Sequence, residues 1–296
     1  MSGHTRIVRV PSAPPAPPQS NTRTFVFGAG APRPRETYLH LHRFIRSTCV
    51  EETRPGLFVF ALHREAIVGR MWLAATEAPR VGTLGRHEAT DLPLVPDAAL
   101  SLRHVLFVVR LVDGQVRFSA LDLETPGGLH TRLGAQHLTE AERPCELRTS
   151  ALTFLCVPTG KTAALPMDAD EARRQLDQPQ PSRRPSFIDQ FLRRGETEGL
   201  LTMHRGTALL SLKVDAGMLE QGVLIGRETR CDVIVPDAMV SRVHAVVLSI
   251  DGVPHLVDAG SSNGTWRHPG TRVKCTKLED GDVFLFGHAR VGWRAG

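Results

Sequence analysis

The stretch that decides the fold runs from Gly226 to Thr265. It reads Gly226-Arg227, Asp232, Val235-Pro236-Asp237-Ala238, Ser241-Arg242-Val243-His244, Asp251-Gly252, Asp258 and Ser261-Ser262-Asn263-Gly264-Thr265. The same signposts occur earlier in the same order: Gly85-Arg86, Asp91, Val95-Pro96-Asp97-Ala98, Ser101-Leu102-Arg103-His104, Asp113-Gly114, Asp122 and Thr125-Pro126-Gly127-Gly128-Leu129. An internal repeat on this scale implies two domains of one fold. The copies differ at a few polar positions, so the comparison sorts scaffold from site.

Around the second copy, short apolar runs alternate with turn residues: Ala208 to Val214, Val223 to Ile225, Val233 to Val235, Ala245 to Ile250, Leu256 to Val257, Val283 to Phe286 and Val291 to Trp293. Asp251-Gly252 lies between two such runs. Glycine accepts the positive φ that a type I′ hairpin turn requires, and Asp113-Gly114 plays the same part in the first copy. Asp280-Gly281-Asp282 reads as a further turn. Many short strands at close spacing predict an all-β chain of two antiparallel β-sandwiches rather than an α/β enzyme.

The chain has 296 residues, room for two domains of about 100 residues each plus tails. Residues 1–35 are rich in Pro, Ala, Ser and Arg, as in Pro14-Pro15-Ala16-Pro17-Pro18. Such a composition cannot bury enough surface to offset chain entropy, and predicts a disordered tail. Residues 36–157 are assigned to the first sandwich, with Tyr38 to Ile45 as a short helix or opening strand and Leu57 to Leu62 as a strand. Residues 158–203 read as a polar linker with short helices at Asp168 to Leu176 and Phe187 to Leu192, and with Gln178 to Pro185 as its Pro/Arg-containing middle. Residues 204–296 form the second sandwich.

The formal net charge is +5, much of it arginine in the N-terminal arm, which reads as a solvated basic tail. Five cysteines at irregular spacing, with no Cys-x-x-Cys, argue against a disulfide scaffold or a zinc cluster and fit a reducing cytoplasm. No stretch is apolar and long enough to span a membrane, and proline stands where a signal peptide needs its apolar core.

In the second copy, the Gly226, Ser241 and Ser261 motifs fall at the ends of predicted strands, where loops of a sandwich converge. They bring together two arginines, two or three hydroxyls and one carboxamide, and no carboxylate stands within them. That set suits a dianion: guanidinium forks donate in pairs to phosphate oxygens, and hydroxyls fill the remaining lone pairs. Ser241 and His244 do not make a nucleophile–base pair, since three residues around a strand start define no triad.

Taken together, the Gly-Arg pair, the Ser-x-x-His box and the Asn-Gly-Thr turn resemble the hallmarks of a forkhead-associated (FHA) domain. The resemblance covers residues 204–296 and implies an eleven-stranded β-sandwich that binds phosphothreonine peptides. By that resemblance, Arg227 grips the phosphate, Ser241 and Ser262 donate to it, and Arg242 is an adjacent basic ligand. Asn263 holds the peptide backbone beside the phosphothreonine. Gly226, His244, Gly264 and Thr265 support the site, and Trp266 is expected to pack beneath the turn. The first copy is similar to a degenerate FHA domain. Arg86, Ser101 and His104 persist, but Pro126 replaces Ser262, Gly127 replaces Asn263, Leu129 replaces Thr265 and Leu102 stands where Arg242 does. Gly127 is expected at positive φ. The first domain is therefore expected to bind phosphopeptide weakly or not at all, with a residual anion site at Arg86 and Ser101 as the alternative to a role in protein contact or docking on its neighbour.

The function that follows is a non-enzymatic phosphothreonine reader acting downstream of serine/threonine kinases, with phosphorylated proteins as partners and no cofactor, metal or catalytic residue. Enzyme signatures are missing: there is no Gly-rich phosphate loop, His-Glu-x-x-His or nucleophile elbow. The alternatives are nucleic-acid or anion binding through the basic arm, and a purely structural interaction scaffold. Aromatics at 5% without interleaved basic residues argue against stacking on single strands.

Overall fold

The computed structural model of the chain describes residues 34–63, 66–94, 100–123, 125–131, 134–149, 152–160, 165–177, 197–205 and 208–296. The tail expected at residues 1–35 lies outside this set up to residue 33, and Pro34 already starts a helix. Gln178 to Pro185 and the helix expected at Phe187 to Leu192 also lie outside it.

Among the described residues, two β-sandwiches of eleven strands each follow one another. In the first, one sheet holds β1 (Gly56–His63), β2 (Ala66–Ala74), β7 (Leu129–Thr131), β8 (Gly134–Gln136), β10 (Cys145–Arg148) and β11 (Thr153–Thr159), in the order β2-β1-β11-β10-β7-β8. The facing sheet holds β3 (Arg80–Gly85), β4 (Leu92–Pro93), β5 (Val105–Val112), β6 (Gln115–Asp122) and β9 (Leu138–Ala141), in the order β4-β3-β5-β6-β9. The second sandwich repeats this strand for strand. Its sheets are β13 (Ala208–Asp215), β12 (Thr197–Arg205), β22 (Ala289–Ala295), β21 (Val283–Phe286), β18 (Thr265–Arg267) and β19 (Thr271–Val273), against β15 (Val233–Ile234), β14 (Val223–Gly226), β16 (Ala245–Ile250), β17 (Val253–Asp258) and β20 (Cys275–Lys277). Strand β12 begins at Thr197, within the segment read as linker, because Leu201 and Met203 are buried in the second core. Pairing is antiparallel except for β3 with β4 and β14 with β15, which run parallel.

The hairpins obey the turn chemistry. Asp113 and Gly114 sit at φ 51° and 75°, and Asp251 and Gly252 at 52° and 76°, so both central residues of each turn are left-handed. Helix α1 (Pro34–Glu51) is longer than the short element expected there. Leu41, Ile45 and Cys49, spaced four apart along one helix face, are buried with Phe58, Phe60 and Val157 on the outer face of the β1–β11 sheet. Helix α2 (Ala169–Asp177) joins the same cluster through Ala172, and Asp168 caps it by accepting from Glu171 N at 2.8 Å. A third helix, α3 (Ala216–Gln221), links β13 to β14 and is capped by Asp215. Among the described residues no helix is long and apolar enough to cross a membrane.

The two sandwiches pack face to face. Along β5, Val105, Phe107 and Val109 point into the first core, while Leu106 and Val108 point out. Along β16, Ala245 and Val247 point into the second core, while Val246, Leu248 and Ile250 point out. The outward sets meet each other, with Leu121, Leu138 and Val257, in a core cluster that belongs to both domains. Burying each such aliphatic side chain contributes about 1.5–3 kcal/mol. At the edge of this contact, Arg110 of β5 pairs with Asp251 in the second domain's hairpin, and Arg117 stands 3.8 Å from the same carboxylate.

Candidate functional site

The site in the second sandwich is built by three loops whose backbones touch. A Cβ on Gly226 would lie 2.1 Å from the Arg242 carbonyl oxygen, so only glycine lets β14 approach the Ser241 box this closely. That approach allows Arg227 N to donate to Ser241 O at 3.1 Å and Glu228 N to Arg242 O at 3.1 Å. The Gly-Arg pair is thus one device: the glycine makes the contact and the next residue emerges beside Ser241. Arg227 is exposed, and its guanidinium makes no hydrogen bond or ion pair with a described residue.

His244 ties the loops from beneath. It is fully buried. Nδ1 accepts from Ser241 N at 3.1 Å, and Nε2 donates to Gly264 O at 3.3 Å. Burial holds its pKa below the ordinary value; Asp258 and the Gly264 carbonyl oppose this, and Arg103 adds to it. A neutral imidazole with one donor and one acceptor fits these two partners, so His244 joins the Ser241 and Gly264 loops.

Asp258 holds the last loop. This buried carboxylate accepts from Ser261 N at 2.8 Å, from the Ser261 hydroxyl, and from the Thr265 hydroxyl at 2.7 Å. Gly264 sits at φ 80°, and a side chain there would also run into Arg272. The result presents Ser262 and Asn263 outward. Ser262 N donates to the Ser241 hydroxyl at 3.2 Å, which leaves the proton of that hydroxyl to donate elsewhere. Asn263 Nδ2 donates to Met239 O at 2.7 Å, which leaves Oδ1 as an acceptor at the rim. Trp266 does not pack beneath the turn. It is 38% exposed, because its indole N–H donates to Asn263 O at 3.2 Å and Arg272 stands over its ring.

Arg242 stands at the boundary of the site. Its side chain is half exposed, 3.9 Å from Glu228, and it lines the cleft between the two sandwiches. A residue outside the second motif set also reaches the site. Arg103, from the first sandwich, donates through Nε to Gly260 O and through Nη2 to the Ser262 hydroxyl at 3.2 Å. Burial lowers the Arg103 pKa; Asp258 opposes this and Arg242 adds to it. Gly260 accommodates the contact, since a Cβ there would meet Thr83 of the first domain at 3.0 Å.

Residues 223–287 match the family model of the FHA domain. The second sandwich is an FHA domain. FHA domains are phosphothreonine-binding modules. A stretch of 66 residues is 38% identical to the ABC transporter ATP-binding/permease protein Rv1747 of Mycobacterium tuberculosis, covering 22% of this chain and 8% of that protein. Among solved structures, the FHA domain of FhaA complexed with the intracellular domain of Rv3910 is 29% identical, with 32% of this chain and 99% of that one covered at a TM-score of 0.29. The first FHA domain of Mycobacterium tuberculosis Rv1747 is 22% identical, with 33% and 98% covered at a TM-score of 0.28.

The first sandwich repeats the FHA bracing. Arg86 N donates to Ser101 O at 3.0 Å, Ser101 N donates to His104 Nδ1 at 3.2 Å, and His104 Nε2 donates to the Thr125 hydroxyl at 2.7 Å and faces Gly128 O at 3.3 Å. Asp122 takes the place of Asp258, accepting from Thr125 N at 3.3 Å and its hydroxyl at 2.8 Å. Arg86 differs from Arg227 in being tethered, with Nε donating to Leu100 O. The left-handed residue of this loop is Gly128, at φ 59°, and not Gly127 as expected, because the equivalent of Gly264 is the residue before Leu129.

Proposed function

We propose that this chain is a phosphothreonine reader that acts as an adaptor downstream of serine/threonine kinases, with the phosphorylated proteins, or a kinase itself, as its partners. The phosphate is taken by Arg227, Ser241, Arg242 and Ser262, and Asn263 Oδ1 receives a backbone N–H of the bound peptide. Arg103 adds a guanidinium from the neighbouring domain. The observation that carries the reading is that one surface gathers an arginine unpaired among the described residues, two hydroxyls with protons left to donate and a carboxamide acceptor, over a buried neutral histidine. The carboxylate of the site, Asp258, is buried beneath the loop with its oxygens occupied. That inventory neutralises a dianion and offers no nucleophile–base pair. The FHA match supports the same ligand. All five cysteines are free thiols, which supports a cytoplasmic setting.

The test is to screen the full chain on a phosphothreonine peptide array and to measure the selected peptides by calorimetry, beside their phosphoserine and unphosphorylated forms. Binding should require the phosphate and should be lost in Arg227→Ala, with the circular dichroism spectrum unchanged. Near-native affinity in a folded Arg227→Ala protein would remove this residue from the site. Selection of DNA over phosphopeptide, with steep salt dependence, would favour the basic-arm reading instead.

A further inference from the structure

We propose that the cleft between the two sandwiches is a second phosphate site, built jointly by both domains, which takes the phosphate of a phosphorylated side chain. The cleft has a volume of about 480 Å³ and draws Arg86, Ser101 and Arg103 from the first sandwich and Arg230 and Arg242 from the second. No carboxylate lines it among the described residues. Glu228 approaches Arg242 only to 3.9 Å.

Arg86 and Ser101 stand where Arg227 and Ser241 stand in the FHA site. The positions are equivalent in backbone contacts as well as in sequence: the arginine N–H bonds to the serine carbonyl at 3.0 Å in the first domain and 3.1 Å in the second. The phosphate half of the first domain's site therefore survives, with Arg86 Nε held on the Leu100 carbonyl until it turns to a phosphate. What is lost is Ser262, replaced by Pro126, and Asn263, replaced by Gly127. Docking of the second domain supplies new donors on that side, since Arg230 and Arg242 enter the cleft that Pro126 and Gly127 border.

Four guanidiniums face one cleft, three of them exposed and Arg103 partly buried. Burial acts against the charge on Arg103, Asp258 opposes this and Arg242 adds to it. A dianion in the cleft offsets the contribution of Arg242. With glycine in place of the peptide-holding asparagine, the cleft lacks the carboxamide that would fix an extended backbone. It suits a phosphate delivered by a ligand anchored elsewhere. The FHA site is the adjacent anchor, because Arg103 reaches Ser262 there while lining the cleft here. A threonine-phosphorylated partner bearing a second phosphate fits both. This bivalent step rests on the phosphothreonine reading of the Arg227 site; the cleft itself does not.

The test is nuclear magnetic resonance of the full chain, following the arginine Nε–H signals during titration with N-acetyl-O-phosphothreonine methylamide. Signals of Arg86 and Arg230 should shift along a saturable curve of their own, which persists in Arg227→Ala and weakens at least tenfold in Arg230→Ala. Doubly phosphorylated threonine peptides should then bind at least tenfold more tightly than singly phosphorylated ones, and Arg230→Ala should abolish that difference. Saturation at Arg227 with Arg86 and Arg230 unmoved overturns the cleft and leaves the FHA reading intact. Saturation at Arg86 and Arg230 with Arg227 unmoved supports the cleft and overturns the FHA reading. Equal, unsaturable shifts at the remote Arg174 would show general ion binding and overturn the proposal.

Discussion

Arg103 of the first sandwich donates to the Ser262 hydroxyl of the second at 3.2 Å, and its Nε holds the Gly260 carbonyl two residues earlier. The loop that presents Ser262 and Asn263 is therefore positioned by both domains. Arg103→Ala is expected to weaken phosphothreonine-peptide binding by the full chain about tenfold, or about 1.4 kcal/mol. That lies just under the range of about 1.5–3 kcal/mol for a bond to a charged group, as suits a donor that is partly solvated. Arg103→Lys keeps the charge but loses the fork, and should fall between the two. Unchanged affinity in both variants, by calorimetry, would place Arg103 outside the binding surface.

The interface itself can be opened without touching the site. Leu248 is 2% exposed and faces the first domain from β16. Leu248→Asp buries an unpaired charge there, and the less costly response is separation of the sandwiches. Small-angle scattering should show a larger radius of gyration, while strand content by circular dichroism is retained. Because separation withdraws Arg103 from Ser262, peptide affinity should fall by about as much as in Arg103→Ala. A scattering curve identical to that of the native chain would show that the interface tolerates the charge.

Much of this architecture was legible. Asp-Gly hairpins announce themselves because few residues accept two successive left-handed positions, and Asp113-Gly114 and Asp251-Gly252 take those angles. Gly226 was legible because close backbone approach leaves no room for a Cβ. The docking of the domains was harder to read. Val105 to Val109 and Ala245 to Leu248 are unbroken apolar runs, which signal strands buried on both faces, but nothing in such a run names what covers the second face. Arg103 could not be assigned from its own motif, since its partner Gly260 lies 157 positions away. Asp258 was visible as a repeated residue, yet its three bonds depend on a loop geometry that spacing does not reveal. Trp266 misled because a large aromatic after a turn usually seeks the core, whereas here its N–H caps the Asn263 carbonyl at the surface.

The histidine brace makes stability depend on pH. Burial lowers the His244 pKa from 6.5 in the folded protein, against the opposing pull of Asp258 and the Gly264 carbonyl and with Arg103 adding to the shift. The unfolded chain takes up a proton as pH falls through 6.5, while the folded chain resists until lower pH. The contribution of His244 is therefore complete above pH 6.5 and declines below it, toward the folded-state pKa. His42 and His255, also lowered chiefly by burial, act in the same direction. The melting temperature should drop between about pH 7.5 and about pH 5.5, and His244→Gln should show a smaller drop from a lower starting value. An equal drop in both proteins would assign the effect to other groups.

Replacing the missing parts of the first sandwich tests whether it is a true FHA scaffold. Its bracing is in place: Arg86 bonds to Ser101, His104 spans Ser101 and Gly128, and Asp122 holds Thr125. The left-handed position of the loop is Gly128, so asparagine at 127 meets no backbone penalty of that kind. Pro126→Ser, Gly127→Asn and Leu102→Arg together restore the hydroxyl, the amide and the basic neighbour of the box. In a full chain whose FHA site has been silenced by Arg227→Ala, the triple variant should bind phosphothreonine peptide at least tenfold more tightly than Arg227→Ala alone, measured by calorimetry. Two features oppose the gain. Arg86 must leave the Leu100 carbonyl to reach a phosphate, and Leu102 lies beside Arg103 and Arg242, so a new arginine there adds to an already cationic cleft. Both costs fall when a dianion binds, because the added charge then has a partner. A well-folded triple variant that binds no better than its parent would show that the first domain has diverged in more than the residues its loops display.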